Sequence, residues 1–522
     1  MSDPAAAADH ARRPGGTDRL AGAVAAAALI GFATAALGDL DGTAARMGDA
    51  FAWTTRAFGL LWQLLAVATF LVALALAVSP LGAVRLGGRT RPEMPYGRWL
   101  AVILCTLLAG GGVFWSAAEP MYHFAEPPPT FPGVTAASAA AVGPAMAQSF
   151  LHWGFLAWAL VGTLGALGLL VLAERGVPLT PRALLVGVIG RRAADGPVGS
   201  LVDGLSIVAA LAGTIGPIGF LGLQLAFAAR LLLGAPDGYV TQLGVLVLLV
   251  LVATVSAASG IDRGIQLLSR LNVGLALALA GTILAVGPTL AIVRQLGVGM
   301  TTYLAALPRL ALYRGDLAWL DYWTVFYWGW FLSYGPLMSI FVARISRGRT
   351  VREIVLAVAV VAPLLTNLWF GILGGSGVAF ELAEPGSISA ALDADGLPAA
   401  LFAIVARLPL RTLLTPAFVV LIFVFLATSA DSMAYAASMI VSGRSTPPVW
   451  QRVFWCVGMG VVAALLLVMG QGGIEALQSL IVVAAAPVGL LMATCLYTGP
   501  RLVWERSRQE ARTRAEALAT GP

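Results

Sequence analysis

Four groups of residues have types and spacings that could do chemistry. Between Asp321 and Tyr334, the residues Trp323, Tyr327, Trp330 and Tyr334 recur at i, i+4, i+7 and i+11, one stripe of a helix with Phe331 beside it. Such a stripe can be a packing seam or an interface belt. Here it runs several turns into an apolar stretch, deeper than a headgroup belt requires, which puts a binding role slightly ahead. A second apolar stretch offers His152, Trp153 and Trp158, with Val161 beyond them. Rings from two helices that meet in a dry cavity would hold a quaternary ammonium through their quadrupoles, at ~0.5 to 2 kcal/mol per ring. His152, taken alone, reads as a satisfied structural histidine rather than a proton relay.

Gly110, Gly111 and Gly112 stand in a row ahead of Phe114. Each costs a helix up to ~1 kcal/mol relative to Ala. One reading is an unwound segment whose carbonyls meet a cation and whose half-helix N-terminus faces a carboxylate. A close helix crossing explains the glycines equally well. Thr428, Ser429 and Asp431 place oxygens inside another apolar run. A hard monovalent cation would take such oxygens. The hydroxyls can instead bond back to the preceding turn, and Asp431 can sit near a helix end holding a neighbouring backbone. No HExxH, phosphate loop, paired-carboxylate or Ser/His/Asp arrangement accompanies them, so a membrane enzyme has no visible catalytic set.

The elements that must position these residues follow from composition. Of 522 residues, 59% are hydrophobic and 11% charged, against roughly a quarter charged in soluble domains. That excludes a soluble globular protein. The +6 net charge comes from Arg scattered between apolar runs rather than from a basic domain, so membrane insertion explains it better than nucleic acid. Apolar runs of spanning length fall at 20–37, 57–80, 98–118, 140–173, 200–233, 241–258, 271–293, 319–343, 354–374, 412–441, 451–470 and 475–498. The first lacks a convincing cleavage site and reads as a retained span. Residues 294–318 could form a helix at the outer interface. Cys105, Cys456 and Cys495 lie within apolar stretches and read as small packing residues.

Counting alternate segments as inner puts most of the cations on one side: Arg12, Arg13 and Arg19, then Arg85 to Arg98, Arg175 to Arg192, Arg263 and Arg270, Arg344 to Arg352, Arg444 and Arg452, and Arg501 to Arg514. The outer segments collect acids, among them Glu119, Glu126, Glu381, Glu384, Asp393 and Asp395. Both termini are therefore expected in the cytoplasm. The Arg-bearing tail from Arg501 could approach anionic lipid as an osmotic switch, but ordinary positive-inside anchoring explains it as well and is preferred.

Several ordered segments resemble the betaine/choline/carnitine transporter (BCCT) family. They are Phe114 to Pro120, His152-Trp153 with Trp158, Ser259 to Gly264 followed by Leu268 to Asn272, Trp323 to Trp330, Ala343 to Arg349 with Arg352-Glu353, and Thr428 to Ser432. The resemblance covers the chain from about Phe51 to Gly499. It implies an all-α integral membrane fold of twelve transmembrane helices: an N-tail (1–19), two extra helices (20–97), two inverted five-helix, LeuT-like repeats (98–293 and 319–500) and a C-tail (501–522). It also implies a homotrimer in the inner membrane that moves a trimethylammonium or similar compatible solute by alternating access. By position, Trp153, Trp158, Trp330, Phe331 and Tyr334 would line the substrate box with Gly110, Gly111 and Gly112, while Phe114 and Phe326 would gate it. Thr428 and Ser429, with carbonyls of Cys105, Leu108 and Phe425, would bind Na+.

The departures from the family pattern matter. Its alternating glycines are compressed to Gly110-Gly111-Gly112, its box Tyr in the fourth span is Val161, and two Trp of the eighth span are Phe331 and Tyr334. This thinner cage favours a carrier of ectoine, a sulfonium compound or a larger amine over a betaine specialist. In the fifth span only Thr214 is kept from the hydroxyl-rich stretch, so one Na+ per substrate is the working stoichiometry. The alternatives are proton coupling, exchange, and a non-transporting sensor or scaffold.

Overall fold

The computed structural model describes residues 17–107, 111–259, 262–471 and 474–519. Among them the chain is helical, and the β-type pairing is an isolated antiparallel bridge between Arg85 and Thr350. Among the described residues, eleven helices are long and apolar enough to cross a membrane.

The first two, α1 (Arg19–Gly38) and α2 (Leu40–Val78), are separated by Asp39 alone. Its carboxylate accepts the Gly42 amide and so caps α2. Because α2 is 39 residues long, it starts well before the expected span at 57–80. Asp41, Arg46, Asp49 and Arg56 on its first turns hide a continuous helix from a hydropathy reading.

Next come α3 (Tyr96–Leu107) and α4 (Gly111–Ala125), with 108–110 outside the described residues. The long fourth run is three helices: α5 (Val142–Trp153), α6 (Phe155–Leu160) and α7 (Thr163–Glu174). Glycine makes both breaks. A Cβ on Gly154 would lie 2.1 Å from the Phe150 carbonyl oxygen, and Gly162 has φ +138°.

Then follow α8 (Pro197–Leu233), α9 (Tyr239–Ser259), α10 (Asp262–Val286) and α11 (Thr289–Ala311). The expected seventh span, 271–293, is cut at Gly287-Pro288, and α11 takes in most of the segment expected at the interface. It is itself long and apolar enough to cross a membrane. The second half contains α12 (Leu317–Ile345), α13 (Val351–Ala383), α14 (Ala400–Ala406), α15 (Arg411–Ser442), α16 (Val449–Met469) and α17 (Glu475–Ala519). The tail expected from Arg501 continues α17 as helix.

Burial sorts these helices into centre and rim. The most apolar window is 100% buried in Ala139–Glu174, 89% in α8 and 83% in α12, against 17% in α1 and 22% in α9 and α11. Helices that are apolar all round belong at the centre. There α12 packs against α7, α8 and α17, and α4 against α5 and α13. One turn of wider π helix, Asp321–Val325, sits in α12 at the start of the aromatic stripe and carries Trp323.

The segments grouped by their Arg content also meet in space. Asp18 N–H donates to the Val441 carbonyl at 2.8 Å, and Arg182 bridges Asp18 and Asp203. Glu174 accepts the amides of Gly87 and Gly88 and pairs with Arg506. Segments of the other group join likewise: Thr55 donates to Asp321 at 2.9 Å, and Arg230 pairs with Asp395 at 2.9 Å.

Candidate substrate and ion sites

Three of the rings expected at the substrate box, Trp153, Trp330 and Phe331, come together. The Trp153 and Trp330 centroids are 5.7 Å apart, edge to face at 83°, and Phe331 lies 5.6 Å from Trp153 at 79°. Phe370 of α13 adds a fourth ring, 5.1 Å from Trp153. Trp153 ends α5 and Trp330 sits in α12, so two elements far apart in sequence close on one point. Trp330 stacks on Phe326 at 5.5 Å and meets Phe220 of α8 at 5.7 Å, while Phe114 stacks on Phe220 at 5.6 Å. The two expected gate residues thus flank the same ring cluster. These rings are buried: Trp153 is 4% exposed and Trp330 5%.

Backbone groups fix the orientation of the stripe. Trp330 Nε1–H donates to the Gly213 carbonyl at 3.0 Å, and Tyr334 O–H donates to the same oxygen at 2.7 Å. The Thr214 and Tyr334 hydroxyls are 3.2 Å apart. Gly111 begins α4 against Trp330, where a Cβ would come within 2.4 Å of Cη2. Close approach is what this glycine permits. The Gly112 carbonyl accepts the Trp369 indole N–H at 3.2 Å. Gly110 and Leu108 lie outside the described residues. Trp158 is buried on α6, and no ring contact joins it to Trp153 or Trp330 among the described residues.

Sequence reasoning put Glu119 among the outer acids, because a charge followed by Pro120 reads as the end of a span. The structure corrects this. Helix α4 runs on to Ala125, and Glu119 is fully buried at the centre of the site. Its Oε2 accepts Trp153 Nε1–H at 2.9 Å and Tyr327 O–H at 2.7 Å, and its Oε1 accepts His152 Nδ1–H at 2.5 Å. Both ring nitrogens of His152 have hydrogen-bonding partners: Glu119 at Nδ1, and Gln148 and Thr324 at Nε2. Glu119 could have been found from its place in the apolar Phe114 to Pro120 segment, where any acid is a functional candidate.

At the expected ion site, Thr428 Oγ1–H donates back to the carbonyls of Val424 at 2.8 Å and Phe425 at 3.1 Å. A hydroxyl that donates keeps its lone pairs for a cation. Ser429 is half-buried on the same turn of α15. Cys105 stands in the last turn of α3. Asp431 is inside α15, well before its end at Ser442, and accepts from Ser256 of α9 at 2.7 Å.

A multi-span helical bundle with a buried aromatic cluster on its central helices has the architecture of a membrane carrier. The sequence profile described as "BCCT, betaine/carnitine/choline family transporter" matches residues 22–508, and the chain belongs to that family. It is 46% identical over 480 residues to glycine betaine transporter 2 of Vibrio parahaemolyticus, covering 92% of this chain and 89% of that protein. It is 32% identical to the ectoine/hydroxyectoine transporter of Virgibacillus pantothenticus, over 87% of this chain and 90% of that one. Against the ectoine/glycine betaine/proline transporter EctP of Corynebacterium glutamicum the identity is 33%, over 82% of this chain and 71% of that one.

Proposed function

We propose that this chain imports a quaternary-ammonium or related zwitterionic compatible solute, coupled to Na+, by alternating access. The observation that carries the reading is the edge-to-face meeting of Trp153 and Trp330 beside Gly111. A methylated cation has no exchangeable proton to donate, so ring faces are its natural partners. Phe331 and Tyr334 complete the box, and Phe114 and Phe326 close it from α4 and α12. The names of the relatives, which are betaine and ectoine transporters, support the same solute class.

In this arrangement the rings touch one another, so a solute enters only as α5 and α12 part. Na+ held by Thr428 and Ser429, with the Phe425, Cys105 and Leu108 carbonyls, favours the outward-open form, and rocking of the two five-helix repeats then exposes the solute inside. The protein works as a homotrimer in the cytoplasmic membrane, with both termini inside, where the Arg-bearing ends meet.

The test is accumulation of labelled glycine betaine and ectoine in proteoliposomes under an imposed inward Na+ gradient. Accumulation that collapses when Na+ is replaced by choline-free K+ medium supports the proposal. Binding without accumulation would instead make the chain a sensor or scaffold.

A further inference from the structure

Beneath the aromatic box lies a fully buried group that the carrier reading does not use. Glu119, His123 and His152 present ligand atoms within 4.8 Å of one another, all at 0% exposure. His152 Nδ1 is 2.5 Å from Glu119 Oε1, and His123 Nε2 is 3.5 Å from the same oxygen. Among the described residues, His123 Nδ1 has no hydrogen-bonding partner. On its other side His152 Nε2 lies 2.9 Å from Gln148 Nε2 and 3.0 Å from Thr324 Oγ1, and Gln148 Oε1 accepts from Thr130 at 3.1 Å. A continuous hydrogen-bonded chain therefore runs from Thr130, in the loop after α4, through Gln148 and His152 to Glu119. From there it reaches Trp153 Nε1 and Tyr327 Oη.

We propose that Glu119, His152 and His123 form a proton-binding site linked to solute binding through Trp153 and Tyr327. With both imidazoles neutral the group carries one negative charge. Uptake of one proton makes it a neutral pair, and a buried site strongly favours neutrality. A quaternary ammonium seated against Trp153 supplies the same compensation. Proton and solute cation therefore compete, and solute binding expels the proton. Thr324 can accept from a protonated Nε2 by turning its hydroxyl, and Gln148 by turning its amide.

The surrounding titratable groups leave the assignment intact. Tyr327 faces Glu119 from α12, and Tyr122 stands on α4 with Glu126 beside it. Asp321 is turned to Thr55 of α2, and Glu381 of α13 caps the loop at Gly386 to Ser389. On α8, Asp203 pairs with Arg182 and Arg230 with Asp395, while Tyr303 of α11 accepts the Phe155 amide.

This inference rests on the proposed solute class. Its test is glycine betaine binding to the purified full-length protein, followed by tryptophan fluorescence between pH 5.5 and 8.5, with proton release read by a dye in weak buffer. Affinity should fall as pH falls, by up to about tenfold per unit for one proton exchanged, and binding should release protons. Both effects should vanish in Glu119→Gln and in His152→Gln, each checked for a single symmetric elution peak. Binding with no pH dependence and no proton release in the unaltered protein overturns the linkage and leaves the carrier reading standing. Failure to bind betaine, ectoine or proline even at pH 8.5 overturns both.

Discussion

Trp153 is held from two directions at once. Its indole N–H is bonded to Glu119 at 2.9 Å, and its ring edge or face meets Trp330, Phe331 and Phe370. Removing the ring and removing the N–H should therefore have different consequences. Trp153→Ala loses a ring contact worth ~0.5 to 2 kcal/mol to a bound ammonium and leaves Glu119 short of a donor. Uptake should fall by at least tenfold at low solute concentration. Trp153→Phe keeps a ring, so the KM for solute should rise only severalfold while expression stays unchanged. Labelled-solute uptake at several concentrations separates the two.

Gly111 sets how closely α4 can approach Trp330. A methyl there would come within 2.4 Å of Cη2 and 2.8 Å of Cζ2, so Gly111→Ala must push the indole off its place. Solute affinity should drop severalfold or more. Gly97→Ala, where a Cβ would meet nothing within 4 Å, should transport normally.

One oxygen, the Gly213 carbonyl, receives both the Trp330 indole at 3.0 Å and the Tyr334 hydroxyl at 2.7 Å. Either donor alone still satisfies it, so Trp330→Phe and Tyr334→Phe should each cost about 0.5 to 1.5 kcal/mol. The double variant leaves a buried carbonyl unpaired. Its loss should exceed the sum of the single losses by about 1 kcal/mol or more. Thermal unfolding in detergent of the four proteins completes that cycle, and simple additivity would disprove the shared-acceptor account.

If Na+ sits at Thr428, the hydroxyl that now donates to Val424 and Phe425 also offers its lone pairs to the ion. Thr428→Ala should raise the Na+ concentration for half-maximal uptake severalfold, with the solute KM changed only at limiting Na+. Thr428→Ser, which keeps the oxygen, should restore most of the response. Equal Na+ dependence in all three would remove Thr428 from the ion site.

The face shared by Trp330 and Tyr334 was legible because helical spacing fixes it whatever surrounds them, whereas the meeting of Trp153 with Trp330 was implied only by the resemblance to the family. Glu119 was not legible, because an acid next to a proline looks like a loop when hydropathy alone draws the span. Nor was the Gly213 acceptor read, although Pro217, four residues on in α8, has no N–H to pair with that carbonyl. The cuts at Gly154 and Gly162 vanish in the apolar run from 140 to 173 because hydropathy counts Gly as span material. The start of α2 was lost for the opposite reason: charges on Asp41, Arg46 and Asp49 mask a helix that Asp39 caps.

At the other end of the bundle, Asp18 pairs with Arg182, in the segment before α8, which in turn pairs with Asp203 of α8. Burial works against the ionisation of Asp18, but the Ala21 amide, Arg182 and Ser200 outweigh that and hold its carboxyl below the usual carboxylate range. The group lies just outside the first span. A folded value below the unfolded one means that its contribution is complete above the ordinary carboxylate range and is lost as pH falls through the lowered folded value. Asp18→Asn keeps an amide oxygen to cap Ala21 but removes the charge facing Arg182, so it should cost about 1 to 2 kcal/mol at neutral pH, as expected for a charge-assisted bond with partial access to water. The difference in melting temperature between Asp18→Asn and the unaltered protein should shrink as pH is lowered below about 4, where the unaltered carboxylate itself takes up a proton. A difference independent of pH would show that Asp18 acts only as a helix cap.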